Sequence, residues 1–296
     1  MNDYLIRTIS EKANVIGLAC ITSGLVEEAA RLHETSPTVS AALGRALTGG
    51  LLLGCMIKEG QRVGLKFEGN GPLKKIVVEA DSKGCVRGLV ESPSADAPPR
   101  KGKLDVSGVV GREGFLTVLK DIGLKEPYQG IVKLRTGEIA EDIAFYLSES
   151  EQIPSAVGLG VFVEPDGKVS AAGGFMIQSL PPSEGPVLDQ LEKNIGKMPS
   201  VTEMIRRGKL PEDMLAGIFA GIDYRVIEKR GLSYCCTCNR DRIERILISL
   251  GCDELNKLKS EREEIQVTCE FCRTRYSFNR GEIQNLLDEM GCSQEM

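Results

Sequence analysis

Cys235-Cys236-Thr237-Cys238, followed about thirty residues later by Cys269-Glu270-Phe271-Cys272, is the stretch from which the rest of the chain is best read. Zinc takes four thiolates at tetrahedral corners, about 2.3 Å from each sulfur. Two tight turns that each carry a pair of cysteines can complete such a site. Spacing leaves the first pair open: Cys235 with Cys238 makes CxxC, Cys236 with Cys238 makes CxC, and the common zinc-ribbon pattern favours Cys235. A closed four-cysteine site has no free coordination position. From spacing alone, a purely structural ribbon with no switching is the plainer reading.

The neighbourhood adds to this. Arg240, Arg242, Arg245, Arg273 and Arg275 lie close in sequence to the two pairs. A tetrathiolate zinc site carries a net charge of about −2, and cations beside it favour the thiolate, the oxidisable form of cysteine. The ordinary alternative is that these arginines form a solvated face. Seven of the ten cysteines fall between Cys235 and Cys292, which favours local metal or redox chemistry over a disulfide-stapled secreted framework. Cys20, Cys55 and Cys85 sit among apolar neighbours and are expected to be small core residues. Cys252 and Cys292 follow helix-ending glycines without a local partner, and their roles, like that of Cys235, stay open.

Upstream, the first 180 or so residues read as a mixed α/β domain. Strand-like runs are Val15–Thr22, Arg62–Glu68, Lys74–Ala80, Gly130–Leu134 and Val157–Val163, separated by turn signals such as Gly69-Asn70-Gly71-Pro72. One helix is expected from Pro37 to Met56, with Ser36 as N-cap and Pro37 at the first helical position. A second is expected over Glu138–Ser148, with Asp142 and Tyr146 on a different face from Ile139 and Ile143. Pro181-Pro182-Ser183-Glu184-Gly185-Pro186 marks a boundary. Beyond it come short amphipathic helices, interrupted by Pro199, Gly208 and Pro211, that need tertiary packing to persist. The fold class is therefore α+β in three parts: a core domain over 1–180, a helical linker over 181–230 and a small zinc-binding domain over 231–296. Within the last part Asp241–Leu250 reads as a helix, Ile265–Thr268 and Thr274–Phe278 as short strands, and Asn279 with Glu282 as an N-cap pair.

Several function classes recede. A net charge of −5 argues against a nucleic-acid footprint over the whole molecule. The N-terminus lacks the apolar run of a signal peptide and Leu51–Met56 is too short to span a bilayer, so the expected location is cytoplasmic, with no membrane partner. There is no GxSxG elbow, no Walker-type loop and no complete GxGxxG, so neither a nucleotide site nor a catalytic residue is expected. His33, the only histidine, is expected to cap or pack at a helix end.

The chain resembles the redox-regulated thirty-three-kilodalton heat-shock chaperones, stress-response holdases that act without ATP. The resemblance runs end to end through His33-Glu34-Thr35-Ser36-Pro37, Ala42-Leu43-Gly44-Arg45-Ala46-Leu47, Gly69-Asn70-Gly71-Pro72-Leu73, Glu141-Asp142-Ile143-Ala144-Phe145-Tyr146-Leu147, Ser150-Glu151-Gln152-Ile153-Pro154-Ser155 and Gly173-Gly174-Phe175. The CxC…CxxC pattern of that family implies Cys236, Cys238, Cys269 and Cys272 as ligands of one zinc per chain in the reduced state, with Cys235 as a departure. It further implies redox-active disulfides Cys236–Cys238 and Cys269–Cys272 on oxidation, zinc release, unfolding of the C-terminal part and linker, homodimerisation and binding of unfolded clients. Leu188, Leu191, Ile195, Met214, Leu215, Ile218 and Phe219 on the linker faces then become the expected client-binding residues. The competing classes are a zinc-ribbon nucleic-acid binder and a thiol–disulfide oxidoreductase using Cys269 and Cys272.

Overall fold

The computed structural model describes residues 2–100, 102–123, 126–182 and 185–292. The chain divides into two compact units, Met1–Cys235 and Cys236–Met296. The first runs β1 (Tyr4–Ser10), β2 (Val15–Ile21), α1 (Ser23–His33), α2 (Pro37–Gly54), β3 (Arg62–Gly69), β4 (Lys75–Asp81), β5 (Cys85–Val90), α3 (Val106–Val110), β6 (Gly114–Asp121), β7 (Tyr128–Lys133), α4 (Ile139–Glu149), β8 (Ser155–Val163) and β9 (Val169–Ser179). It continues through α5 (Gly185–Lys197), α6 (Val201–Arg206), α7 (Pro211–Ile218), β10 (Arg225–Gly231) and β11 (Ser233–Tyr234). The second unit holds α8 (Arg240–Ile248), α9 (Cys252–Glu261), β12 (Glu264–Thr268), β13 (Arg275–Asn279) and α10 (Arg280–Glu289).

Two sheets frame the first unit, in the orders β10-β1-β2-β9-β8 and β11-β5-β4-β3-β6-β7. Helix α2 lies between them. Its sequence is apolar on all sides, as a helix without a solvent face requires. Ser36 Oγ accepts the Val39 N–H at 3.3 Å and Pro37 opens the helix, as expected from the sequence. Gly44 and Gly50 allow the close approach: a Cβ at Gly44 would stand 2.4 Å from Val26 Cγ1, and one at Gly50 2.7 Å from Val78 Cγ1.

Strand β2 is buried along its whole length because it is covered on both faces. Successive residues of a strand point to opposite sides. Leu18 and Cys20 accordingly join the core around α2, whereas Val15, Ala19 and Ile21 face a second core built with Leu191, Met204, Met214, Leu215, Ile218 and Phe219. The short helices α5–α7 are thus the cover of the outer face of the first sheet. Residues 225–230, counted from sequence with the helical linker, are instead extended: β10 pairs antiparallel with β1, from Tyr4↔Gly231 to Ile9↔Arg225.

Helix α4 departs from the two-faced expectation. Asp142 and Tyr146 are as fully buried as Ile139 and Ile143, because α4 packs against β7 and β8 as well as α2. Asp142 Oδ1 accepts the N–H groups of Arg135 and Thr136 at 2.8 and 3.1 Å. Burial nevertheless holds this carboxyl above the usual carboxylate range. His33 ends α1 in a buried position with Nε2 3.3 Å from Tyr234 Oη, a packing role as expected. Among the described residues, no helix is long and apolar enough to cross a membrane.

The second unit is small. β12 and β13 form a hairpin, and α8, α9 and α10 close over it around Ile243, Leu247, Leu255, Ile265, Phe278, Ile283, Leu286 and Leu287. Asn279 and Glu282 form a reciprocal capping box at the start of α10: Asn279 Oδ1 accepts the Glu282 N–H at 3.0 Å and Glu282 Oε2 accepts the Asn279 N–H at 2.9 Å.

Candidate metal centre

Two local structures bring four sulfurs together in the C-terminal unit. Cys236 and Cys238 lie in the irregular segment ahead of α8, whose start is fixed by Asn239 Oδ1 accepting the Arg242 N–H at 2.9 Å. Cys269 and Cys272 occupy the turn between β12 and β13. That turn is closed by Arg273 N–H donating to Cys269 O at 2.8 Å and Cys269 N–H donating to Thr274 O at 2.9 Å. Arg273 takes a left-handed φ of 59°, uncommon for a residue other than glycine.

The Sγ atoms of Cys236, Cys238, Cys269 and Cys272 all lie within 4.8 Å of one another. Cys236 and Cys269 are 3.7 Å apart across the two segments, and Cys238 and Cys272 3.3 Å. A tetrahedron with metal–sulfur distances of about 2.3 Å places its corners about 3.8 Å apart. The donor set is therefore the right chemistry at the right spacing for zinc. Each of the four side chains is half-buried.

Titration of the free thiols makes the same point. Burial pushes the Cys238 thiol up to about 12; the Cys272, Cys236 and Cys269 thiols add to this, and the hydroxyl of Tyr276, donating to Cys238 Sγ at 3.1 Å, opposes it. Burial also raises Cys269. At Cys272 burial is outweighed by hydrogen bonds from the side chain and backbone of Thr274, and the thiol falls to about 7. The protein alone thus favours thiolate at Cys272 and opposes it at Cys238 and Cys269. Holding four thiolates together requires a compensating cation.

The arginines do less than their sequence proximity predicts. Arg240 donates to Glu282 at 2.7 Å and to Ser277 O at 3.1 Å, lies 3.3 Å from Glu244, and stacks over Phe278. Its charge is matched by carboxylates. Arg242 donates to Thr237 Oγ1, between the first two cysteines, at 3.3 Å. Tyr276 and Thr274, which do touch the sulfurs, are missed from sequence because a hydroxyl two residues along a strand carries no spacing signal.

The other cysteines correct the sequence reading in part. Cys20 and Cys55 are buried and burial raises both thiols, as inert core residues should be. Cys85 is not a core residue: it is half-buried and bonded to Cys235, with Cα atoms 5.7 Å apart. Cys252 and Cys292, which have no partner near in sequence and whose roles were open, are bonded to each other with Cα atoms 5.8 Å apart. Of the linker side chains, Leu191, Met214, Leu215, Ile218 and Phe219 are buried and Leu188 and Ile195 partly buried, all on the outer face of the first sheet.

A family model described as "Hsp33 protein" matches residues 3–279. The "33 kDa chaperonin" of Geobacter sulfurreducens is 56% identical over 290 residues, covering 98% of this chain and 96% of that protein. The one from Bacillus cereus is 42% identical over 291 residues, covering 98% of this chain and all of its counterpart (100%). A crystal structure of the 33 kDa chaperonin from Thermotoga maritima superposes with a TM-score of 0.91 at 36% identity over 99% of both chains. The chain belongs to the Hsp33 family of chaperones.

Proposed function

We propose that this chaperone is a redox-regulated, ATP-independent holdase, inactive with its thiols reduced and zinc bound, and active when they are oxidised. The observation that carries the reading is the pairing of a four-sulfur cluster with a small hydrophobic core in the same unit. Zinc, when bound, would supply the charge that keeps four adjacent sulfurs as thiolates and would tie the 236–238 segment to the 269–272 turn. One zinc per chain fits the single cluster seen among the described residues. Closing Cys236–Cys238 and Cys269–Cys272, the pairing implied for this family, removes all four donors at once. Each closure oxidises two thiols by two electrons and reduces one peroxide to two waters.

A domain of about 60 residues buries too little surface to be more than marginally stable, so the C-terminal unit is expected to melt without its metal. Cys236 connects to α7 only through β11 and β10, each an edge strand. Unfolding that travels back along them would free α5–α7, and Leu188, Leu191, Ile195, Met214, Leu215, Ile218 and Phe219 would become the surface for unfolded clients. The functional division proposed is therefore 1–180 core, 181–230 responsive linker and 231–296 switch, in a cytoplasmic protein that dimerises on activation.

The test is suppression of aggregation of a thermally unfolded client by reduced, zinc-loaded protein and by oxidised, metal-free protein. Only the oxidised form should suppress aggregation, and ATP should change nothing. Equal suppression by both forms would remove the switch. Salt-dependent DNA binding or insulin reduction would instead support the nucleic-acid or oxidoreductase readings.

A further inference from the structure

The two sulfurs of Cys85 and Cys235 take no part in the four-sulfur cluster, yet their bond ties the last residue of the first unit to β5. Strand β11 is only two residues long and pairs parallel with β5, Ser233 opposite Cys85 and Tyr234 opposite Val86. Ser233 N–H donates to Gly84 O at 3.0 Å and Cys235 N–H to Val86 O at 2.9 Å. Side chains alternate along a strand. Tyr234 therefore points inward, where it is buried and its hydroxyl donates to Gly88 O at 2.9 Å, while Ser233 and Cys235 lie on the opposite side with Cys85. The seat is close-fitting: a Cβ at Gly84 would stand 2.5 Å from Gly231 O. The Cα atoms of Cys85 and Cys235 are 5.7 Å apart, within the roughly 4.4–6.8 Å that disulfides adopt. Both side chains are half-buried, open enough to meet a small oxidant.

We propose that Cys85 and Cys235 form a third, zinc-independent redox couple that acts as a brake on activation. The chemistry balances with hydrogen peroxide as oxidant. One thiolate attacks the peroxide, the O–O bond breaks, and hydroxide leaves to become water. The second thiolate displaces the hydroxyl of the resulting sulfenic acid, the S–O bond breaks, the S–S bond forms and a second water departs. Two thiols lose two electrons and the peroxide gains them. With the couple open, β11 is held by its backbone pairing with β5 and by the buried Tyr234 and its hydroxyl bond to Gly88 O. With it closed, the strand is covalently pinned to β5. Melting of the C-terminal unit is then slowed at Cys235, so that it reaches β10 and the helices beyond only at a higher peroxide dose. The same bond occupies the Cys235 sulfur, which as a thiol would rival Cys236 and Cys238 as a zinc ligand or disulfide partner. The brake rests on the redox reading proposed above; closure of the couple does not.

The experiment uses the full-length, zinc-loaded chain with C85S and C235S variants, treated with peroxide. Disulfides are mapped by mass spectrometry, amide exchange is followed in Leu232–Cys235 and Cys85–Val86, and released zinc is read with a chromogenic chelator. Both variants should bind zinc as the unaltered chain does, and exchange in β2 and β9 should confirm that their core is folded. After peroxide, Cys85 should be found joined to Cys235. Exchange of the β11 amides should then be on the order of ten-fold slower than in either oxidised variant, since a pinned strand opens less often. The variants should also reach full suppression of client aggregation at a lower peroxide dose. Cys85 and Cys235 still alkylatable after zinc has been released, Cys235 joined to Cys236 or Cys238, or equal β11 exchange in all three proteins would overturn the proposal. Retention of zinc at every peroxide dose would overturn the redox switch instead, while the couple is still judged on its own two thiols.

Discussion

The two units solve the problem of staying folded by different means. In Met1–Cys235 the strands and helices bury apolar side chains in two cores, one around α2 and one beneath α5–α7. In Cys236–Met296 the core has eight buried hydrophobic side chains among the described residues, and the segments carrying the four clustered cysteines are irregular or a turn. Burial of apolar surface is spread over many contacts and does not depend on redox conditions. A metal bound by thiolates is concentrated in four bonds and depends on them entirely. A chain built from both kinds of unit can lose one of them to an oxidant while the other stands. The family assignment and the cysteine geometry acquire their meaning from that contrast.

The largest effect should come from breaking the thiol cluster. C269S or C238S should abolish tight zinc binding and with it the ordered state of α8–α10, because structural zinc contributes about 10–16 kcal/mol of apparent free energy in small metallo-domains. Zinc stoichiometry and amide exchange along the chain would check this. Exchange in β2, β9 and α2 should stay unchanged. Loss of protection there as well would show that the first unit leans on the second. C252S and C292S should keep zinc.

A smaller effect is expected within the first unit, at the cover of its outer sheet. Phe219 is 1% exposed, its ring lies over Gly17, and it stacks on Tyr224 with centroids 5.0 Å apart. A Cβ at Gly17 would come within 2.5 Å of the ring, so the ring fills the place of the missing side chain. F219A should cost about 3–5 kcal/mol, the usual range for emptying a buried aromatic position. That loss falls on α5–α7, whose helices are too short to persist unpacked. The expected outcome is a linker that exchanges rapidly, and a protein that suppresses client aggregation while still reduced and zinc-bound. Fast exchange in the linker without any gain in suppression would separate the client surface from these helices.

How far the sequence carried the argument differs between the same two units. Cys238, Cys269 and Cys272, the hairpin strands beside them and the Asn279–Glu282 box were legible because each is local, with partners within a few residues or in a repeated spacing; spacing favoured Cys235 over Cys236 for the fourth sulfur, and the family resemblance supplied Cys236. Helix α2 was legible because Ser36-Pro37 marks its start and its apolar run is long. Helix α9 escaped notice because it is mostly polar and buries fully only Leu255. The Cys85–Cys235 contact joins residues 150 apart through a two-residue parallel strand, for which no local pattern exists. Asp142 was assigned to a separate face because a carboxylate is ordinarily exposed. Its spacing of three from Ile139 in fact puts it on the packed face of α4, where two backbone N–H groups from outside the helix satisfy its Oδ1.

The smallest effect gives the sharpest version of the comparison, because the same chemical loss can be made in both units. Ser36 caps α2 in the first unit and Asn279 caps α10 in the second, each by accepting one backbone N–H. Replacing such a cap with alanine typically costs about 1 kcal/mol. In the first unit, S36A also gives up a hydrogen bond to Ala95 O, so its loss is at least as large. There it should appear as a lower melting temperature, by about 2–4 °C per kcal/mol for a unit of this size, with zinc affinity unchanged. On the reading proposed above, folding and metal binding are one event in the second unit, so stability lost from the protein is subtracted from the apparent affinity for zinc. A loss of about 1 kcal/mol is about a five-fold change in an equilibrium constant. N279A should therefore weaken zinc binding about five-fold and shift zinc release to lower peroxide, while the melting of the first unit stays where it was. Competition titration with a chromogenic chelator, run beside calorimetry on both variants, measures the two quantities. If N279A leaves zinc affinity as unmoved as S36A does, the C-terminal unit is stable without its metal, and oxidation of the four cysteines would not be enough to melt it.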